Sequence, residues 1–473
     1  MLFNTIEFGL FFALVWLLYT RLPWRAQNTF LLVASYAFYA AWDYRFLALI
    51  FISTAVDFYV GKVLHHTASD RRRKHILYWS VLFNLGFLGF FKYFNFFTEN
   101  LQTLLTAWGF HPGLGTLQIV LPVGISFYTF QSLSYTIDIY RRQMEPTGSF
   151  FDFALNVAFF PHMVAGPIQR AHSLLDQITS PRHVTADNIT EGTTLILWGL
   201  VKKMVIADNM SLIADAVFSQ NGGFSAGQVW IGMLAFAFQI YGDFSGYTDI
   251  ARGTAKLMGF ELMVNFNLPY FAENPQDFWR RWHISLSTWL RDYLYISLGG
   301  SRGSAGRTYV NLILTMVLGG LWHGAAWTFV IWGCYHGALL AIHRFIQQNV
   351  PRRATPLSPF AASAWKWTRI AFMFVLTLYG WLIFRAKNLD QLGAMTSALL
   401  SFNIAPSTIF GIAKILAYCA PLIAMQFYQY KRRDLDAIRS APVLVQCGFY
   451  VLCFYLIILL GVFNAQSFIY FQF

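Results

Sequence analysis

Apolar runs recur along most of the chain, at Phe8–Tyr19, Phe30–Ala41, Phe46–Val60, Ile76–Phe91, Ile370–Phe384, Ile412–Met425 and Val443–Val462. A helix needs about 20 mostly apolar residues to cross a bilayer. Several runs fall short of that, so tilted, interfacial and half-spanning helices are expected beside full spans. The pattern predicts an all-α polytopic membrane protein with roughly ten to twelve membrane helices. The polar segments between the runs are short, at 61–75, 141–149, 169–191, 265–283 and 347–363. None is large enough to fold as a soluble domain. Residues 1–473 therefore read as one membrane domain whose chemistry lies among the helices or at their mouths.

The middle of the chain, 121–345, differs from its flanks. Gly, Pro, Asn, Asp, Arg and His are scattered through apolar context there, as in Leu-Pro-Val-Gly-Ile-Ser-Phe-Tyr (121–128), Phe-Pro-His-Met-Val-Ala-Gly-Pro-Ile-Gln-Arg (160–170) and Asp-Phe-Ser-Gly-Tyr-Thr-Asp (243–249). Irregular backbone at membrane depth is tolerated only where it is buried in protein or lines a cavity. The middle is thus predicted to form a cavity-bearing core, with residues 1–120 and 346–473 as peripheral helices.

Hydrophobic residues make up 56% of the chain and charged ones 12%. The net charge of +12 does not point to nucleic acid, because the basic residues sit in short segments between apolar runs. That is the positive-inside pattern. Arg71, Arg72 and Arg73 beside a single Asp70 mark one cytoplasmic loop, and Lys431, Arg432 and Arg433 another. Counting helices from these blocks puts both termini on the outer side. The N-terminal apolar run has its charges after it and no small-residue cleavage site, so it reads as a retained helix. Cys334, Cys419, Cys447 and Cys453 lie in apolar segments and read as small buried hydrophobes.

Within Tyr309–His343 there is no Lys, Arg, Asp or Glu, yet His323 stands near the middle. An ionisable group inside a membrane is costly, and function is its default reading; the bland alternative is a packing hydrogen bond to a neighbouring helix. Arg302 and Arg307 precede the stretch and Arg344 follows it, so both ends read as cytoplasmic. Fourteen residues from Tyr309 to His323 make about 21 Å of helix, short of the roughly 30 Å hydrocarbon thickness. Gly319, Gly320 and Gly324 supply a break. The stretch is therefore either an even number of passes or a hairpin that turns within the membrane near His323.

A second segment, 265–293, carries a turn at Asn274-Pro275. Beyond it Phe278, Trp282, Leu286, Trp289 and Tyr293 recur at helical spacing, and Arg280, Arg281, Arg291 and Asp292 occupy polar positions. This predicts a basic amphipathic helix at an interface or cavity mouth. Its arginines either anchor to lipid headgroups or clamp an anionic ligand, since a guanidinium fork binds two phosphate oxygens at once. No Walker loop, HExxH or Gly-x-Ser-x-Gly is present. His323 and His336 lack local metal-ligand spacing, and no metal is expected. Spatial convergence of His162, His283, His323 and His336 stays open at this level.

Asp-Phe-Ser-Gly-Tyr-Thr-Asp (243–249), Asn-Phe-Asn-Leu-Pro-Tyr (265–270), Phe-Trp-Arg-Arg-Trp-His (278–283) and Leu-Trp-His-Gly-Ala-Ala-Trp (321–327) occur in this order. Pro161-His162 and 166–170 fit as well. Together they resemble the membrane-bound O-acyltransferase (MBOAT) family, and in particular its bacterial branch that modifies alginate, cellulose, peptidoglycan or teichoic acid. The resemblance covers nearly the whole chain. It implies a ring of tilted helices around a central cavity or tunnel, with re-entrant and interfacial helices, in the bacterial inner membrane. His323 would be the catalytic base and His283 the second polar position. Arg280, Arg281, Trp279, Asn267 and Trp322 would stand about the acyl donor, with acetyl-CoA as the implied donor.

The implied reaction is transfer of acetyl to a hydroxyl, for which an imidazole titrating at about 6.5 is a suitable base. Trp322, the backbone near Gly324 and His283 are candidates to hold the oxyanion. An esterase-like O-acetyltransferase, periplasmic or membrane-anchored, would complete delivery to a polysaccharide. The chain ends in Phe-Ile-Tyr-Phe-Gln-Phe (468–473). Composition alone reads this as an interfacial aromatic belt. The resemblance makes it a terminal acyl-handing motif in which Tyr470 is a transient carrier. The competing reading of the chain is a non-covalent transporter or polymer-export subunit, which predicts repeated halves; no repeat stands out.

Overall fold

Every regular element among the described residues is helical. The computed structural model describes residues 1–473 except 164–165, 352–357, 464–467 and 470–473. Six helical segments are long and apolar enough to cross a membrane: Trp24–His66, Asp70–Ala107, Trp327–Asn349, Pro359–Arg385, Pro406–Arg432 and Val443–Leu460. The first holds two helices, Trp24–Asp43 and Leu47–His66, joined by a 3-10 turn. Their outer faces expose large apolar side chains, among them Leu82, Phe410 and Leu444. An apolar surface of that extent marks contact with lipid in a chain of this composition. This is a multi-pass membrane protein. Ala226–Lys256 and Ala305–His323 are also long, at 31 and 19 residues. They bury polar side chains such as Gln239, Asp243, Asn311 and Thr315 instead of presenting a uniformly apolar run.

The chain divides into two units. The first comprises Met1–Thr193 with Ala251–Met263, and the second Thr194–Ile250 with Val264–Phe473. In the first, the Trp16 indole donates to the Leu257 carbonyl at 2.7 Å and Tyr19 Oη to the Met258 carbonyl at 2.6 Å. The polar segment at 61–75 is less of a loop than its charge suggests. Helix Leu47–His66 runs into it, and the next helix begins at Asp70. Arg73 is buried there and donates to the carbonyls of Leu64, Ile139 and Tyr140. It caps two helix ends, whose last carbonyls have no partner within the helix. Gly124 opens helix Ile125–Tyr140 at φ 75°. A Cβ there would come within 2.5 Å of the Met163 carbonyl oxygen, so this irregular stretch demands glycine for both its conformation and its space.

In the second unit, helices Ala305–His323 and Trp327–Asn349 form a hairpin with its turn beside His323, which fits both arrangements left open for this stretch. Glycines bring the two backbones together. A Cβ on Gly320 would lie 2.2 Å from the Phe329 carbonyl oxygen, and one on Gly333 2.5 Å from that of Met316. Small residues of this kind allow close helix approach where no hydrophobic effect drives association. Of the four cysteines, Cys419 and Cys453 are buried as expected, whereas Cys334 and Cys447 are exposed on helix surfaces.

Candidate active site

His323 is the last residue of its helix and Gly324 caps it, so the hairpin tip itself presents the ring. The continuous amphipathic helix expected after Asn274-Pro275 is not formed. A short helix, Pro275–Trp279, capped by Asn274, gives way to a turn, then to helix Ile284–Trp289 and a π-helical stretch Leu290–Tyr295. The break falls at His283, at φ 42° and ψ 56°. Phe278, Trp282, Leu286, Trp289 and Tyr293 are nevertheless all buried. Periodicity located the inward face correctly, but it carries no signal for a left-handed residue within it.

That conformation costs a non-glycine residue about 1–3 kcal/mol and persists only where neighbours over-determine it. Asn265 supplies much of that constraint. Its carbonyl accepts from Ile284 N at 2.9 Å, and its Oδ1 accepts from Ser285 Oγ at 2.6 Å and Ser285 N at 3.2 Å. Two positions along, Asn267 N donates to the Arg281 carbonyl at 2.9 Å. The segments either side of His283 are thus bonded to one extended stretch.

The rings of His283 and His323 lie 6.3 Å apart, centroid to centroid. Trp322 contacts both, at 5.8 Å and 5.0 Å. Trp332 stands 5.1 Å from His323 and 4.7 Å from His336, and Phe384 5.3 Å from His323. All three histidines are buried. His162 belongs to the first unit, where its Nε2 meets Gln131 Oε1 at 2.9 Å. Among the described residues no group of three or more His, Cys, Asp or Glu is arranged to hold a metal.

A cavity of about 390 Å³ opens onto His323. Trp279, Thr315, Met316, Gly319 and Trp332 line it, and Arg280, Arg291 and Arg344 supply its charge, with no carboxylate in the lining. Arg291 is shared with Asp292 at 2.7 Å. Arg344 Nε is buried without a hydrogen-bond partner among the described residues. So are the indole N–H groups of Trp279 and Trp332. Buried donors normally find acceptors, and those that do not call for an explanation such as a ligand.

Not every expected binding residue reaches this cavity. Arg281 is held by Asp277 at 2.8 Å and by the Asn267 carbonyl at 3.2 Å, and it does not line the cavity. Asn267 is exposed and acts here through its backbone. Tyr470 lies outside the described residues.

A deep histidine over a cationic, apolar-walled cavity suits an anionic ligand that brings a reactive group to the ring. The family model for "MBOAT, membrane-bound O-acyltransferase family" matches residues 44–388. The chain belongs to the membrane-bound O-acyltransferase family. It is an O-acyltransferase. Among its relatives is a probable alginate O-acetylase AlgI of Azotobacter vinelandii, 46% identical over 408 residues, which are 85% of this chain and 79% of the relative. A peptidoglycan O-acetyltransferase of Helicobacter pylori is 37% identical over 435 residues, 85% of this chain and 80% of that one. A teichoic acid D-alanyltransferase of Bacillus subtilis is 28% identical over 280 residues, 56% of this chain and 69% of that one.

Within this acyltransferase, two cavity residues, Arg344 and Trp332, escaped the sequence reading as site residues, and Arg291 appears there only among the arginines that either anchor to lipid or clamp an anion. Arg344 reads there only as a charge marking the end of an apolar stretch. Trp332 has a faint signal, since it and His336 sit four apart and share one helix face.

Proposed function

We propose that this acyltransferase takes acetyl from cytoplasmic acetyl-CoA and moves it towards O-acetylation of an extracytoplasmic polysaccharide, with His323 as general base. The observation that carries the reading is the placement of His323 at a hairpin tip above a cavity with three arginines in its wall. A volume of about 390 Å³ is at the lower end of the range for ligand pockets, about 300–1,000 Å³. It accommodates the thioester arm of a donor and leaves the nucleotide at the arginines. Arg280 and Arg344 are the phosphate ligands in this scheme.

In the reaction, His323 removes the proton of the acceptor hydroxyl as its oxygen attacks the thioester carbonyl. The tetrahedral intermediate collapses with cleavage of the C–S bond, and the imidazolium returns its proton to the departing thiolate. Such base catalysis contributes about 10²–10⁴-fold. The Trp332 and Trp279 N–H groups are available to the carbonyl oxygen, and Trp322 and His283 pack beside the His323 ring without lining the cavity. Family membership favours this covalent reading over the polymer-export alternative.

The relatives' names support alginate or peptidoglycan as the class of acceptor. The scheme puts the enzyme in a bacterial inner membrane with both termini outside, as the loop charges suggest. The catalytic core is 121–345, in keeping with the origin of the cavity's lining in 276–344. An esterase-like partner delivers the group to the polymer, with Tyr470 as the carrier that meets it. Transfer of labelled acetyl from CoA in membranes containing wild type, His323→Ala or Tyr470→Phe tests the base and the relay separately.

A further inference from the structure

After the last helix, Val443–Leu460, the described residues of the chain are bonded back to the rest of the second unit. Asn209 Nδ2 donates to the Leu460 carbonyl at 2.8 Å, and Val462 N to the Met204 carbonyl at 3.0 Å. Met204 belongs to the π-helical stretch Val201–Ala207, a type of irregularity that is frequent at functional sites. Further on, Ile469 N donates to Asp243 Oδ2 at 2.7 Å. Phe468 and Ile469 are completely buried, with Phe468 4.8 Å from the Tyr247 ring and 5.7 Å from the Phe244 ring. Phe244 in turn lies 4.6 Å from His283. This is not the environment of an interfacial aromatic belt.

The other oxygen of Asp243 faces Lys203 Nζ at 2.9 Å, and the same ammonium meets Asp208 at 2.8 Å. All three side chains are buried. One cation between two carboxylates leaves a surplus of negative charge, and buried charge is tolerated only when paired and hydrogen-bonded. The Ile469 N–H supplies Asp243 with a further donor. The lysine therefore orients the carboxylate, and the carboxylate fixes the backbone of the C-terminal segment beside the ring that backs His283.

We propose that Asp243, oriented by Lys203, is a positioning residue that seats the C-terminal segment for acyl transfer. Breaking this bond uncouples delivery of the acyl group from binding of the donor. The inference rests on the function proposed above, in which the C-terminal segment receives or hands on the acyl group.

The test uses the full chain in membranes, with acetyl-CoA as donor and the partner present. Ile469→Pro removes the N–H and leaves the Lys203–Asp208–Asp243 cluster intact, so it decides the matter even if Asp243→Ala fails to fold. Both variants are expected to lower acetyl delivery about tenfold or more at saturating donor, as small misplacements of reacting groups do, with the donor KM unchanged. Hydrogen exchange at the Ile469 amide should accelerate in Asp243→Ala and less so in Asp243→Asn, which keeps an acceptor oxygen. Normal delivery by Ile469→Pro, alongside an inactive His323→Ala, overturns the positioning role and leaves the proposed function standing. A donor KM that rises in step with the loss of delivery overturns it too, because the effect is then a general structural one. Delivery that survives in His323→Ala instead overturns the reading of the site beneath it.

Discussion

Asn265 Oδ1 accepts from both the amide and the hydroxyl of Ser285, two residues after His283. This pairing holds the start of helix Ile284–Trp289 and thereby the left-handed His283, whose ring faces His323. Replacing Asn265 by Ala removes the acceptor both Ser285 groups use, a loss worth about 1–3 kcal/mol in a buried site. The variant should melt at lower temperature and transfer acetyl more slowly, with its KM for donor little changed. Thermal unfolding in detergent together with steady-state kinetics checks both parts.

The hairpin carrying His323 depends on Gly320. A methyl group there would sit 2.2 Å from the Phe329 carbonyl oxygen, which belongs to the opposing backbone and has little room to move. Gly320→Ala should cost at least the roughly 1–3 kcal/mol typical of overpacking and should impair activity by moving the tip. Gly306 is the control in the same helix, since nothing lies within 4 Å of a Cβ added there. Gly306→Ala should be neutral or stabilising by up to about 1 kcal/mol, the helix-propensity difference. Melting curves of the two variants side by side test the contrast.

Arg344 is assigned to the donor's phosphates. Arg344→Ala should raise the KM for acetyl-CoA about tenfold, equivalent to roughly 1.4 kcal/mol and close to the worth of a hydrogen bond to a charged group. It should leave the KM for an acetyl-pantetheine thioester, which carries no phosphate, near its wild-type value. Kinetics with the two donors distinguish a phosphate contact from a general distortion of the cavity.

Much of the fold is legible in the pattern of apolar runs, because lipid demands long apolar helices and loops carry the charge. A chain break near His323 is legible in the glycine spacing of an uncharged stretch. What sequence could not supply is of two kinds. The break at His283 is imposed by the tertiary pairing with Asn265 and Asn267, and a run of well-spaced aromatics conceals it. The assignment of the arginines fails similarly: Arg280 and Arg281 look equivalent in the chain, yet Arg281 is spent on Asp277 and the Asn267 carbonyl. Arg344 reaches the cavity only because the hairpin folds back on itself. The C-terminal segment shows the same limit, since Phe468 matches a surface belt in composition and is fully buried against Phe244 and Tyr247.

The account stands or falls with His323 as the base. The most direct measurement is the rate of labelled acetyl transfer from CoA by membranes holding equal amounts of wild-type protein and His323→Ala. Loss of about 10²–10⁴-fold, the usual contribution of a general base, is the predicted result. Transfer at the wild-type rate by His323→Ala would contradict it.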